Sequence, residues 1–106
     1  MRWLEVLDVE VARPKDRKRV VELCSKISVP QSATLTLYED SVGNEFTIHI
    51  QWRSRLITSG GRSELGRELS SSLSDHGLVT HTLWVEANHS NPGEQPDNPV
   101  PQEGTP

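Results

Sequence analysis

Along residues 33–52, ATLTLYEDSVGNEFTIHIQW, apolar and polar side chains alternate with a period of two, interrupted once in the middle. Leu35 and Leu37 share one side of a first strand, opposite Thr34, Thr36 and Tyr38. Phe46, Ile48, Ile50 and Trp52 line one side of a second, opposite Thr47, His49 and Gln51. A period of two places each set on one face of a pleated sheet. The interruption, Asp40-Ser41-Val42-Gly43-Asn44, supplies turn chemistry, with Gly43 and Asn44 able to take positive φ. The pattern predicts a β-hairpin.

The flanking patterns differ. Residues 2–12, RWLEVLDVEVA, predict a strand with Trp3, Leu7, Val9 and Val11 on one face; the other face begins with Leu4 and Val6 and ends with Asp8 and Glu10. Pro14 opens a helix, because its fixed φ suits the first turn. Val20, Val21, Cys24 and Ile27 form the helix's apolar stripe, Asp16 and Glu22 interleave with basic residues, and the segment before Pro30 ends it. After the hairpin, residues 53–62 predict a loop. Ser63 is then the N-cap of a second helix with Leu65, Leu69 and Leu73 as its stripe, His76 in its last turn and Gly77 as its stop. Residues 78–87 predict a last strand, in which Val79, Leu83 and Val85 alternate with Thr80, Thr82 and Trp84, and His81 shares the apolar phase.

The order β-α-β-β-α-β, with right-handed crossovers, predicts a ferredoxin-like α+β sandwich. Its four-stranded antiparallel sheet runs 4-1-3-2, and both helices lie on one face.

Composition changes this picture at the C-terminal end. A chain of 106 residues has room for one domain. From Asn88 onward it carries five of the seven prolines and, Val100 aside, no apolar residue. Such a stretch cannot offset the entropy of ordering, so a domain over 1–87 is expected to be followed by a disordered, Pro-rich acidic tail over 88–106. All 11 basic residues and 12 of the 15 acids precede the tail, which leaves the folded part near neutral at −1. That balance excludes a globally basic surface for nucleic acid. Cys24 is the single cysteine, which excludes an internal disulfide and a cysteine-cluster zinc site. No signal-peptide pattern and no apolar run of spanning length is visible, so a cytoplasmic location with no membrane partner is the default expectation.

Two helices cover one side of a four-stranded sheet. With Phe46, Ile48, Ile50 and Trp52 turned towards them, the open side shows Thr34, Thr36, Tyr38, Thr47, His49 and Gln51. Leu4, Val6, Thr80, Thr82 and Trp84 join them. An antiparallel sheet can leave such a face wet. Leu4, Val6 and Trp84 together nevertheless form more apolar surface than a monomer exposes comfortably, which points to a homodimer through this face or a ligand cavity between two such faces.

Candidate chemistry is sparse. The four histidines, His49, His76, His81 and His89, have no metal-ligand spacing, so no metal or cofactor is predicted. His81 is expected to be a hydrogen-bonded core residue, and His76 to complement the helix dipole. Gly60, Gly61, Arg62 and Ser63, opening into a helix, form a generic anion cradle without the lysine of a nucleotide-binding loop. A flexible loop before a capped helix accounts for the same residues. Arg13, Lys15, Arg17, Lys18 and Arg19 form either a solvated helix start or a patch for an acidic partner.

The strand LTLYED, its turn, and the strand FTIHIQW ending in Trp52 resemble the antibiotic-biosynthesis monooxygenase-like dimeric α+β barrel family over about residues 1–87. The resemblance implies subunits that dimerise sheet on sheet. It also implies a cavity for a small aromatic or haem ligand and, in some members, oxidation of quinol-like substrates with no bound metal. Cavity candidates on this reading are His49, Trp52, Tyr38 and Trp84. Many members carry a histidine after that tryptophan, whereas LITSGGRSELG here has none. The expectation is therefore a small dimeric binding or structural module. The alternatives are a cofactor-independent monooxygenase and a regulatory domain binding a small anion at Gly60–Ser63.

Overall fold

The computed structural model describes residues 2–42, 44–53 and 62–87. They form β1 (Trp3–Val11), α1 (Pro14–Lys26), β2 (Ala33–Glu39), β3 (Glu45–Trp52), α2 (Glu64–Leu73) and β4 (Gly77–Val85). The strands make one antiparallel sheet in the order β2-β3-β1-β4. This is the predicted order, and the fold is the predicted ferredoxin-like sandwich. The tail over 88–106 and the residues Gly60 and Gly61 lie outside the described residues.

The phase of the hairpin is as the alternation requires. Phe46, Ile48 and Ile50 are buried beneath the helices with Leu7 and Val9 of β1. Val20 and Cys24 of α1 and Leu65, Leu69 and Leu73 of α2 close the core from above. Each fully buried side chain of this size contributes roughly 1.5–3 kcal/mol relative to an exposed one, so this single layer of contacts accounts for the fold's cohesion. Asp40 N–H bonds Glu45 O at 2.9 Å and Val42 N–H bonds the Asp40 carboxylate at 3.1 Å, which closes the hairpin turn. At the other end of the hairpin, Arg53 donates to Gln31 O and to Thr34 Oγ1 and so ties the end of β3 to the start of β2.

Two local expectations are corrected. In α1 the inward stripe is Asp16, Val20 and Cys24 at i, i+4 and i+8, while Val21 is 45% exposed. Asp16, expected among the charged residues of the helix, turns inward because it has buried partners, described below. In α2 the last helical residue is Leu73 with Ser74 as C-cap, so His76 stands beyond the helix. Gly77 instead begins β4 opposite Val11, where a Cβ would overlap the carbonyl oxygen of Glu10. Its lack of a side chain serves close strand approach.

Candidate functional site

The most unusual feature of the core is a carboxylate. Glu5 lies on the helix-facing side of β1 between Trp3 and Leu7 and is completely buried. An ionised carboxylate buried alone is costly, and it survives only when its lone pairs are filled. Here both oxygens are filled. Oε1 accepts from the Trp52 indole N–H at 2.9 Å and from the Ser63 hydroxyl. Oε2 accepts from the Ser63 backbone N–H at 3.1 Å and from His81 Nε2 at 2.7 Å.

Three elements supply these donors, and register explains how they converge. Glu5 pairs with Ile50 on β3 and with Leu83 on β4, so Trp52 and His81 are its diagonal neighbours on the same face. Diagonal neighbours are about 7–8 Å apart at the backbone, a gap that long side chains span. Ser63 arrives from above as the N-cap of α2: its hydroxyl accepts the Gly66 N–H at 2.9 Å while donating to Glu5. Gly66 completes the packing, because a Cβ there would overlap Glu5 Oε2 and lie 2.8 Å from the His81 ring.

Burial alone pushes the Glu5 carboxyl up, but the bonds from Ser63, Trp52 and His81 outweigh it and hold it below the ordinary carboxylate value. The ionised carboxylate only accepts, so His81 Nε2 carries the proton of their bond. His81 Nδ1 is buried and has no hydrogen-bond partner among the described residues, and the His81 side chain is 4% exposed. The arrangement can orient one imidazole and leave its second nitrogen available to a polar group.

A second buried acid lies near the opposite end of the sheet. Asp16 accepts from His76 Nδ1 and Arg13 Nε, both at 3.0 Å, and these two partners hold its carboxyl below the ordinary value against burial. Both acids therefore ionise more readily in the folded chain than in the unfolded one. Their stabilising contribution is complete above the ordinary carboxylate range of about 3.9–4.3 and is lost as pH falls through their lower folded-state values. In urea titrations the loss of stability below about pH 4 should be steeper for the native chain than for Glu5→Gln. Parallel slopes would contradict this assignment.

The sequence-predicted residues divide between the two faces. Trp52 is on the helix side, bonded to Glu5. His49, Tyr38 and Trp84 are on the open side, where Tyr38 and His49 meet edge to face at 5.0 Å. Trp84, on β4, is separated from them by β1. The four thus do not share one cavity within the subunit. Of the anion-cradle residues, Ser63 is buried and its N–H faces the chain's own Glu5 carboxylate. Arg62 is exposed, with Nη2 3.4 Å from His81 O. His81 is the hydrogen-bonded core histidine expected, whereas Glu5 itself was missed. Its signal was present: an acid in the apolar phase of β1, with Trp52 and His81, side chains that carry ring N–H groups, in the same phase of β3 and β4. Among the described residues no group of three or more His, Cys, Asp or Glu could hold a metal, and no helix is long and apolar enough to cross a membrane.

The β2-β3-β1-β4 sheet with two helices on one face defines the class: a ferredoxin-like α+β fold. Two solved structures share it. One is Rv0793 from Mycobacterium tuberculosis, at a TM-score of 0.60 and 14% identity, covering 86% of this chain and 100% of that one. The other is a monooxygenase from the gene ActVA-Orf6 of Streptomyces coelicolor, solved with the ligand Nanaomycin D. Its TM-score is 0.57 at 18% identity, with 85% of this chain and 91% of that one covered. The resemblance read from the hairpin holds at the level of fold. The sequence matches no family model and no curated protein.

Proposed function

We propose that the protein is a small homodimeric binding module whose subunits pair through the open face of the sheet. The observation that carries this reading is the composition of that face. Trp84 is 59% exposed and Tyr38 52%, and Leu4 and Val6 of the central strand β1 lie half-buried between them. Thr47 Oγ1 donates to Asp8 at 2.6 Å, so some of the polar groups on the face already satisfy each other. The longest strands have nine residues, which gives a face of about 30 Å by 15–20 Å, or roughly 500 Å² in projection. Side-chain relief enlarges the accessible area towards the ~800 Å² per partner typical of stable complexes. Light scattering on the intact chain tests the reading: a dimer is expected, and a monomer at high concentration contradicts it.

A specific observation favours a second reading, a cofactor-independent monooxygenase acting on a small aromatic or quinol-like substrate. The Glu5–His81 pair beside Trp52 has the form of an oriented base, with a carboxylate on one imidazole nitrogen and the other nitrogen unpartnered among the described residues. Such a base would take the proton of a phenolic hydroxyl and leave an electron-rich phenolate to react with dioxygen. The fold's likeness to a monooxygenase supports it as well. Oxygen uptake with hydroquinones, abolished in His81→Phe, is the expected result on this reading; no uptake by the native chain removes it.

A further inference from the structure

On the helix side of the sheet, away from the open face, a cleft of about 470 Å³ runs between α1 and the corner joining α2 to β4. Arg13, Lys15, Lys18 and Arg19 line it from α1, against the two acids Asp16 and Glu22, and His76 lines it from the corner. Lys15, Lys18 and Arg19 recur at i, i+3 and i+4 and so share one helix face. Asp16 is not available to neutralise them from the cleft, because its side chain is 3% exposed and engaged on both oxygens.

The buried carboxylate has a further effect. It takes Nε of Arg13 and Nδ1 of His76, which are donors from two different elements. The Arg13 side chain remains 59% exposed with its Nη groups unpartnered among the described residues. The His76 ring, 23% exposed, keeps Nε2 unpartnered on the cleft wall. Lys15 and Lys18 have no carboxylate partner among the described residues, and the Arg19–Glu22 pair is a 3.5 Å surface contact of little energetic weight. By contrast Arg17, on another side of α1, is paired with Glu39. Cations gathered this closely repel one another, and an anion with several oxygens relieves that repulsion while accepting from the oriented guanidinium and from Nε2 of the His76 imidazolium.

We propose that this cleft is a binding site for a small phosphate-bearing anion, with Arg13 as the oriented donor, His76 adding an Nε2–H donor in its imidazolium form, and Lys15, Lys18 and Arg19 supplying charge. The site is independent of the sheet-face pairing and stands or falls separately. The test is a titration of the intact chain with pyrophosphate at constant ionic strength, followed through amide and His76 ring resonances. Saturable shifts confined to residues 13–22 and 76 are expected. The double variant Lys18→Glu/Arg19→Glu, both positions being exposed and outside the core, should weaken the apparent affinity at least about tenfold. Arg67→Glu, a charge reversal on an exposed position of α2 outside the cleft, should leave it nearly unchanged. Shifts that do not saturate, that chloride reproduces, or that survive unchanged in the double variant would overturn the proposal.

Discussion

Replacing Glu5 by Gln should destabilise the fold by about 3–5 kcal/mol, although the two side chains have nearly the same shape. Each Glu5 oxygen receives two donors, and a glutamine amide nitrogen would place N–H groups against one of those pairs. The Trp52 indole and the Ser63 backbone N–H cannot reverse their roles, so neither orientation of the amide satisfies the site. His81 also loses the charge that fixes its tautomer. In a domain of this size each kcal/mol shifts the melting midpoint by about 4–8 °C, so the variant should melt at least ~12 °C lower, and against a total stability of about 5–15 kcal/mol that is a large share. Ser63→Ala should cost less, about 1–3 kcal/mol, since it removes a cap and one donor but leaves the carboxylate three others. Thermal and urea unfolding measure both. A Glu5→Gln midpoint within a degree or two of the native one would show that the carboxylate is incidental.

The second large effect is expected on the open face. Val6 sits on the strand second from one edge, with His49 and Thr82 beside it, so it lies near the middle of the proposed contact. In a two-fold pairing every substitution acts twice, and Val6→Lys brings two desolvated cations into one interface. Trp84→Glu removes an aromatic anchor of the kind that commonly carries 2 kcal/mol or more of binding energy, again in duplicate. Either variant should raise the dimer dissociation constant at least about a hundredfold, equivalent to roughly 3 kcal/mol. The core lies on the other side of the sheet, so the monomers should remain folded with native circular dichroism. Dimers that persist in both variants would place the contact elsewhere.

Much of this was legible in the sequence because period and phase are geometric. The run Phe46, Ile48, Ile50 had to share a face, and the leucines at 65, 69 and 73 had to share a helix stripe; both are buried as expected. What could not be read was pairing between distant polar residues. Glu5 falls in the apolar phase of β1 and His81 in that of β4, but only register makes them diagonal neighbours, and only the placement of α2 brings the Ser63 cap onto the same carboxylate. Asp16 is a similar case: it looked like one member of a charged run until His76 was seen to approach it from 60 positions along the chain. The family resemblance groups Trp52 with His49 and Tyr38, while strand alternation puts it on the opposite face. Polar residues standing in an apolar phase mark buried networks, and their partners emerge only in three dimensions.

The central claim is that two open sheet faces meet, and a single spin label per subunit tests it most directly. Glu10 is exposed at one end of that face on β1, and Arg67 is exposed on the outer helix. Cys24 is buried with its thiol pushed up to about 11, so labelling at an introduced cysteine is selective. Face-packed sheets lie about 10 Å apart, with the helices a further layer outward on each side. Double electron–electron resonance on Glu10→Cys should therefore give a defined intermolecular distance, shorter than that from Arg67→Cys. An absence of dipolar modulation from Glu10→Cys, or a shorter distance from Arg67→Cys, would contradict the account.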